Sequence, residues 1–395
     1  MLLKKVNILD VEHECVLWDQ DVLIQNGVIR AVAPNIESDE EQLDCTGGFL
    51  TPAYFDMHVH IDTPDMLPLL FVNGVAAVRN MWGRPDHIAA RQSEQPGKPI
   101  PNIVTGSPII DGVASLNGNV IIRTPEEARQ AVARYVQEGY DFIKTYPRIP
   151  RDAFFALMDE ACARGVRVGG HGNLFVSTAE LITSGYASLE HASCLPQQDE
   201  DITLLAKSGI WFVPTLTTLE QMVAFSSGNR RIDDVEHAEY ADMGTKQIWA
   251  DNINRYRREE RFRLFRFPEL VRRARIFLAH SDHILLGSDT PMPGTVAGFS
   301  VHQEFRMLVD LAGLTPAQAL RTATANAAQY LGMESRGTVA PGKTADILLL
   351  DANPLDDIGN TTAIRWFMKD GVLFDREALD SMLLAIKLHA LERGN

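Results

Sequence analysis

Cysteine is scarce in this chain. Four residues in 395, Cys15, Cys45, Cys162 and Cys194, are scattered with no Cys-x-x-Cys spacing, which leaves no disulfide framework to read and suits buried thiols in a reducing compartment. Basic charge is also short. Thirty-seven Lys and Arg stand against 52 Asp and Glu, a formal net charge of −15, so neither nucleic acid nor an anionic membrane is expected as a partner. No apolar run approaches membrane-spanning length, and the N-terminus turns polar at Lys4-Lys5 before a signal-peptide core could form. No Gly-rich nucleotide loop follows the first strand of the αβ region, which counts against an open doubly wound sheet. The expectation is a cytoplasmic protein acting on a small molecule.

What the chain does have is alternation. It is too long for a simple single-core domain. Residues 1–50 read as short strands separated by turn residues: Lys5–Leu9, Val16–Ile24 and Gly27–Ala33. From Thr51 apolar strand-like runs alternate with helical stretches, the pattern of βα units around a parallel sheet. The first run carries Phe49 to Asp62, and Gly74–Asn80, Pro101–Ile110, Asp141–Tyr146, Val166–His171, Ala187–His191, Trp211–Leu216 and Ile284–Asp289 follow. Thr124-Pro-Glu-Glu127 and Thr315-Pro-Ala-Gln318 are capping boxes with proline at the first helical position. Glycines at 139, 165, 185 and 209 stand where helices should turn back into strands. Eight strands with intervening helices predict an α/β fold, a (β/α)8 TIM barrel over 51–336. Residues 1–50 and 337–376 are expected to pair into one small composite β-sandwich, and 377–395 to form a terminal helix. The connection between strands seven and eight, about 65 residues, is long for a βα link. Its Arg-rich stretch from Arg255 to Arg263 reads first as a solvated helix face, and more sharply as a lid or a contact in a homo-oligomer.

The chemistry-bearing residues fall at strand ends. Side chains alternate along a strand, so His58 and His60 point one way and Val59 the other, with the imidazoles about 7 Å apart along the strand. Strand four carries Lys144, and strands five, six and eight end at His171, His191 and Asp289. Catalytic groups of barrels gather at the C-terminal strand ends, so these six should converge in one cup. Each alone is unremarkable as a structural residue; the joint placement is the signal. Tyr146 shares a strand face with Lys144 and could polarise a carbonyl. His302, just past strand eight, is a candidate substrate contact, as are Arg79 after strand two and Arg148 after strand four. For each arginine the solvated-loop reading stands beside it.

A family resemblance rests on Pro52-Ala-Tyr-Phe-Asp-Met-His-Val-His60, Gly74-Val-Ala-Ala-Val-Arg79, Asp141-Phe-Ile-Lys-Thr-Tyr146, Val168-Gly-Gly-His171, Leu189-Glu-His191, Leu286-Gly-Ser-Asp289 and Gly337-Thr-Val-Ala-Pro-Gly-Lys-Thr-Ala-Asp346. Over nearly its whole length the chain resembles the amidohydrolase superfamily, nearest its prolidase-like and imidazolonepropionase-like members. It departs at Ala53, in place of a usual glycine, and at Ala76-Ala77, in place of usual threonines. The resemblance implies two divalent metal ions, zinc suiting the ligands best. His58, His60 and Asp289 would hold one ion, His171 and His191 the other, and a CO2-derived carbamate on Lys144 would bridge them. The implied reaction is hydrolysis of an amide-type C–N bond in a small dipeptide or N-acyl amino acid by a metal-bound hydroxide, with Asp289 shuttling the proton. Lactone or cyclic amide (imidazolone) hydrolysis is the alternative within the superfamily. Mononuclear deamination is disfavoured, because His171 is followed by Gly172-Asn173-Leu174 rather than by a nearby glutamate. The alternative of another class is a catalytically dead scaffold of the same fold.

Overall fold

The computed structural model describes residues 1–63, 65–93, 95–113 and 120–392. The small domain opens the chain with β1 (Leu2–Asp10), β2 (Cys15–Gln25), β3 (Val28–Ala33), β4 (Gln42–Asp44) and β5 (Phe49–Pro52). The barrel strands are β6 (Tyr54–Val59), β7 (Val75–Asn80), β8 (Asn102–Thr105), then β11 (Phe142–Thr145), β12 (Arg167–Gly170), β13 (Ser188–Glu190) and β14 (Trp211–Val213). A short parallel pair, β9 (Ile110–Asp111) and β10 (Val120–Ile121), lies between β8 and β11. The chain returns to the small domain as β15 (Ile347–Leu350), β16 (Ile364–Lys369) and β17 (Val372–Asp375).

The eighth stave is an extended segment, 284–290, bridged at Ile284 to Phe212 and at Thr290 to Val59. Its amides complete the ring: Leu285 N donates to Phe212 O (2.9 Å), Met57 N to Leu286 O (2.9 Å), Asp289 N to His58 O (2.7 Å) and His60 N to Thr290 O (2.8 Å). On the opposite side Gly106 bridges Phe142 and joins β8 to β11. The run expected as one third strand, Pro101–Ile110, is broken here. Pro108 has no N–H to donate to a ladder, and the chain resumes pairing only when Ile110 reaches Thr145 of β11.

Helices cover the barrel: α1 (Met66–Val72), α2 (Pro85–Gln92), α3 (Pro125–Glu138), α4 (Arg151–Ala163), α5 (Thr178–Thr183) and α6 (Asp199–Lys207) follow successive strands. The long connection holds α7 (Leu216–Ser226), α8 (Met243–Arg258), α9 (Glu260–Arg263) and α10 (Phe267–Leu278), and after the eighth stave come α11 (Phe299–Arg306), α12 (Pro316–Thr322) and α13 (Ala325–Leu331). The helix-start signals are found where expected, although the box expected at 124–127 is one-sided, because Glu127 Oε2 accepts from Arg123 N (2.6 Å) rather than from Thr124 N. Thr124 Oγ1 accepts from Glu127 N (3.2 Å) at the start of α3, and Gly139 ends that helix at φ 92. Thr315 and Gln318 cap α12 reciprocally, at 3.0 and 3.2 Å. Strands β6 and β7 are buried along their whole length, as parallel strands covered on both faces should be.

The two chain ends make the smaller β-domain together, in one curled sheet of order β17-β16-β15-β5-β1-β2-β3 with β4 on β1. The curl brings Val28 back to Thr344. β5 belongs to this sheet and runs through Ala53 into β6, so the domain boundary falls after Pro52 rather than at residue 50. Alternation along β15 ties the domains. Ile347 and Leu349 enter the small core with Val6, Ile24 and Trp366, while Leu348 and Leu350 join the main core. The terminal helix α14 (Arg376–Glu392) is present; the last three residues of the segment expected there, 393–395, lie outside the described residues. Among the described residues no helix is long and apolar enough to cross a membrane.

Gly287 marks the tightest approach of the eighth stave to the site. A Cβ there would meet His58 Cβ and Val213 Cγ1 at 2.6 Å each. Gly287→Ala is therefore expected to lower unfolding stability by about 1–3 kcal/mol, the usual range for overpacking. Chemical denaturation would check it, and an unchanged midpoint would show that the stave can move outward freely.

Candidate metal centre

Strand alternation delivers His58 and His60 to the C-terminal mouth of the barrel, with ring centroids 5.4 Å apart. The closing hydrogen bond from Asp289 N to His58 O sets the aspartate beside them. Its Oδ1 lies 3.4 Å from His58 Nε2 and 3.2 Å from His60 Nε2. One candidate ligand atom from each of these three residues falls within 4.8 Å of the other two. His191 stands 4.6 Å from His58 and 4.7 Å from His171, ring to ring. Tyr146 lies 4.1 Å from the His171 ring, and Lys144 Nζ 5.8 Å from the Tyr146 ring. The six residues singled out as metal ligands thus occupy one cup, with Tyr146 in its wall.

The backbone is strained where it turns these side chains inward. His191 (φ 70), Thr215 (φ 48) and Asp289 (φ 56) occupy the left-handed region, which non-glycine residues rarely adopt. Electrostatics then fix protonation. Burial pushes the imidazoles of His58 and His171 well below their ordinary range and that of His191 down to about 4, so at neutral pH each offers a lone pair rather than a charge. Burial also brings the Lys144 ammonium down to about 8, which makes its neutral amine accessible. For Asp289 burial acts upward, but His191, His58 and His60 around it outweigh that and hold the carboxyl well below the usual carboxylate range.

Whether a metal fits can be judged from the polar atoms themselves. His58 Nε2, His60 Nδ1, His171 Nδ1 and Lys144 Nζ are buried and find no hydrogen-bond partner among the described residues. Buried polar atoms are ordinarily satisfied, and four gathered at one cup call for a bound partner. Neutral imidazoles and a carboxylate are the donor set of a divalent ion such as zinc. The residues fit the group.

Glu190 and Ser188 were not singled out in the sequence, and they organise the floor of the cup. Glu190 Oε2 accepts the His58 Nδ1 proton at 2.8 Å, which leaves Nε2 as the bare nitrogen facing Asp289. Arg79 Nη2 donates to both Glu190 oxygens at 2.8 Å, and Ser188 Oγ donates to Oε1 at 2.7 Å. The signal was available: an arginine and a glutamate, each inside an apolar strand buried on both faces, can survive there only as partners.

Arg79 is accordingly a correction. It does not stand at the mouth; it lies wholly inside the barrel, where Met57 O, Ser188 Oγ and Glu190 use up its donors, and no substrate carboxylate can reach it. His302 is a second correction. It is outside the cup, its Nδ1 3.0 Å from Thr361 Oγ1 and its ring edge-on to Tyr54, and it borders a separate cavity of about 650 Å³. Arg148 does line the cup's own cavity of about 320 Å³, whose walls include Tyr146, His171, His191 and Asp289. The long connection roofs that cavity through Leu219, Met222, Arg255, Tyr256, Phe262 and Phe265. The stretch from Arg255 thus turns Arg255, Tyr256 and Phe262 to the cup, while Arg257, Arg258 and Arg263 are exposed as on a solvated face.

A closed (β/α)8 barrel with histidines and an aspartate gathered at its strand ends defines the class as a barrel metalloprotein. The chain belongs to the amidohydrolase family, whose model matches residues 49–373. It is similar to an adenine deaminase from Halalkalibacterium halodurans, 23% identical over 367 residues, 89% of this chain and 54% of that protein. It is also similar to the ochratoxinase of Aspergillus niger, 26% identical over 269 residues, 63% of this chain and 49% of that protein. The chain spans about half the length of these curated relatives. A solved bottromycin amidohydrolase superposes with a TM-score of 0.79 at 25% identity, over 99% of this chain and 90% of that one.

Glu190→Gln would leave Arg79 buried against a neutral amide and weaken the acceptor that orients His58. Zinc affinity is expected to fall about 10–100-fold, as for other partners of metal-bound histidines, and unfolding stability by about 3–5 kcal/mol. Chelator competition and denaturation measure the two separately. An unaltered zinc affinity would leave Glu190 with a structural role alone.

Proposed function

We propose that this chain is a binuclear metal-dependent hydrolase that cleaves an amide C–N bond in a small peptide-like or N-acyl amino acid substrate. The observation that carries this reading is the cluster of buried candidate ligand atoms, without hydrogen-bond partners among the described residues, beside a cavity with both apolar walls and arginines. His58, His60 and Asp289 would hold one ion and His171 with His191 the other. Lys144, reacting as the neutral amine with CO2, would supply a carbamate whose two oxygens can bridge. Bound there, divalent ions lower the pKa of water and polarise a carbonyl.

The chain's own groups have separate tasks. Asp289 would accept a proton from the attacking water and return it to the leaving nitrogen. Tyr146, beside His171, can donate its phenol to the oxyanion that develops on the carbonyl. Arg148 and Arg255, both in the cavity wall, bring positive charge that would favour a substrate carboxylate. Leu219, Met222, Phe262 and Phe265 leave an apolar remainder for the rest of the substrate and exclude water from the reacting bond. Deamination, the activity in the name of the Halalkalibacterium protein, competes with this reading, and the tests below separate the two.

Metal content is the first expected outcome: two ions per chain after reconstitution with zinc and bicarbonate, falling in Lys144→Ala. A stoichiometry fixed near one, or full activity in that variant, would overturn the bridged pair. Substrate class is the second. Metal-replete protein assayed against dipeptides, N-acyl amino acids, lactones, cyclic ureides and adenine is expected to turn over linear amides. Turnover confined to lactones, ureides or adenine would defeat the amide assignment.

A further inference from the structure

We propose that Glu304, on α11, is a positioning residue that holds both the ligand His191 and the roof of the substrate cavity through the first turn of α7. This rests on the metal-dependent hydrolase reading and extends it to a residue outside the barrel strands. α7 begins directly after Thr215, whose backbone is left-handed (φ 48, ψ 49). A threonine at this position ordinarily turns its hydroxyl onto the second or third amide of its own helix. Thr215 makes no such cap. Its Oγ1 is engaged by His191 Nδ1 at 2.7 Å, and with Nδ1 held there, Nε2 is the nitrogen left for a metal.

The helix is thereby deprived of its local acceptor, and buried first-turn amides without a partner are costly. Glu304 supplies the cap from another helix. Its Oε1 accepts from Leu216 N at 2.8 Å and its Oε2 from Thr217 N at 2.7 Å. Glu304 is completely buried, and among the described residues no lysine or arginine forms an ion pair with it. Burial pushes its carboxyl up to about 7 against the opposing pull of the Thr217 and Leu216 amides; a buried acid is expensive for a fold to keep, so stability alone is a poor reason for its presence. Its geometric effect is specific: it frees the Thr215 hydroxyl for His191 and fixes the start of α7. Within the next turns, Thr218, Leu219 and Met222 face the substrate cavity, while Thr217 and Gln221 face the separate cavity near His302. One carboxylate thus sets a metal ligand and a substrate wall together.

The test is Glu304→Gln in the full-length protein. The amide keeps the shape and one acceptor oxygen, but its NH2 opposes one of the two backbone amides. Zinc affinity, read by chelator competition on metal-stripped protein, is expected to drop about tenfold or more, the scale seen when a partner of a metal-bound histidine is lost. KM for an amide substrate should rise together with a fall in kcat, because α7 walls the cavity. A residue that served stability alone would lower Tm and leave zinc affinity and KM within about twofold of wild type, and that outcome overturns the proposal. Should Glu304→Gln fail to accumulate as folded protein, Glu304→Asp, with its carboxylate withdrawn by one methylene, is read in the same way. Thr215→Ala completes a cycle: if Glu304 acts through Thr215, the double variant loses no more zinc affinity than the worse single one, whereas simple addition of the two losses refutes that route. Wild-type protein that takes up no zinc would sink the hydrolase reading instead, so the two failures are distinguishable.

Discussion

The centre depends on the hydrogen bonds by which residues 284–290 close the barrel. Asp289 N donating to His58 O, and His60 N to Thr290 O, bind the eighth stave to β6 at the level of the ligands. These two bonds make the aspartate a neighbour of both histidines of the His58-Val59-His60 pair, although some 230 residues of chain intervene. Gly287 permits the approach, since any side chain there would strike His58 and Val213. The stave is not a regular strand because it serves two purposes: it pairs at each end and bends between them to present Asp289 with positive φ. Closure and the placement of this candidate ligand are the same event.

Beneath the cup, charge is handled by pairing rather than by solvent. Arg79, Glu190 and the His58 imidazole form a continuous buried chain from the barrel interior to the site. Such an ion pair gives little net stability, because desolvation of both partners offsets their attraction. Its value lies in orientation: a carboxylate fixed on Nδ1 leaves His58 one tautomer and one exposed lone pair. The same logic recurs at His191, where the partner is the Thr215 hydroxyl instead of a carboxylate. Two candidate ligands are thus held by two different partners, Glu190 of β13 and Thr215 just beyond β14.

Legibility in the sequence followed physical range. Helix caps at Thr124 and Thr315 and the strand-end histidines were readable because each is decided within a few residues, by side-chain capping or by the two-residue period of a strand. The barrel followed from the repetition of those units. What escaped is what only the closed ring creates. Arg79 reads as a loop arginine until Glu190, 111 positions away, is found opposite it. His302 follows strand eight in the chain, yet the helix that carries it turns it toward Thr361 and Tyr54, away from the cup. The third strand was overextended because Pro108 breaks the ladder where the apolar pattern continues.

The division of labour in the site then follows from connectivity. The strands and the loops just beyond them supply every candidate ligand, and strand geometry is rigid, so the chemistry is built on the part of the fold least free to move. The roof comes from one insertion, between β14 and the eighth stave, and its inner surface of Leu219, Met222, Tyr256, Phe262 and Phe265 can vary without disturbing a single ladder hydrogen bond. The cavity roof is therefore separable from the candidate ligands almost everywhere in this molecule. The exception is the junction at Thr215-Leu216, where the residue that orients His191 is also the one from which the roof helix starts. A change in the roof that shifts the first turn of α7 reaches the candidate ligand His191 directly, whereas the same change one turn further along reaches only the cavity wall.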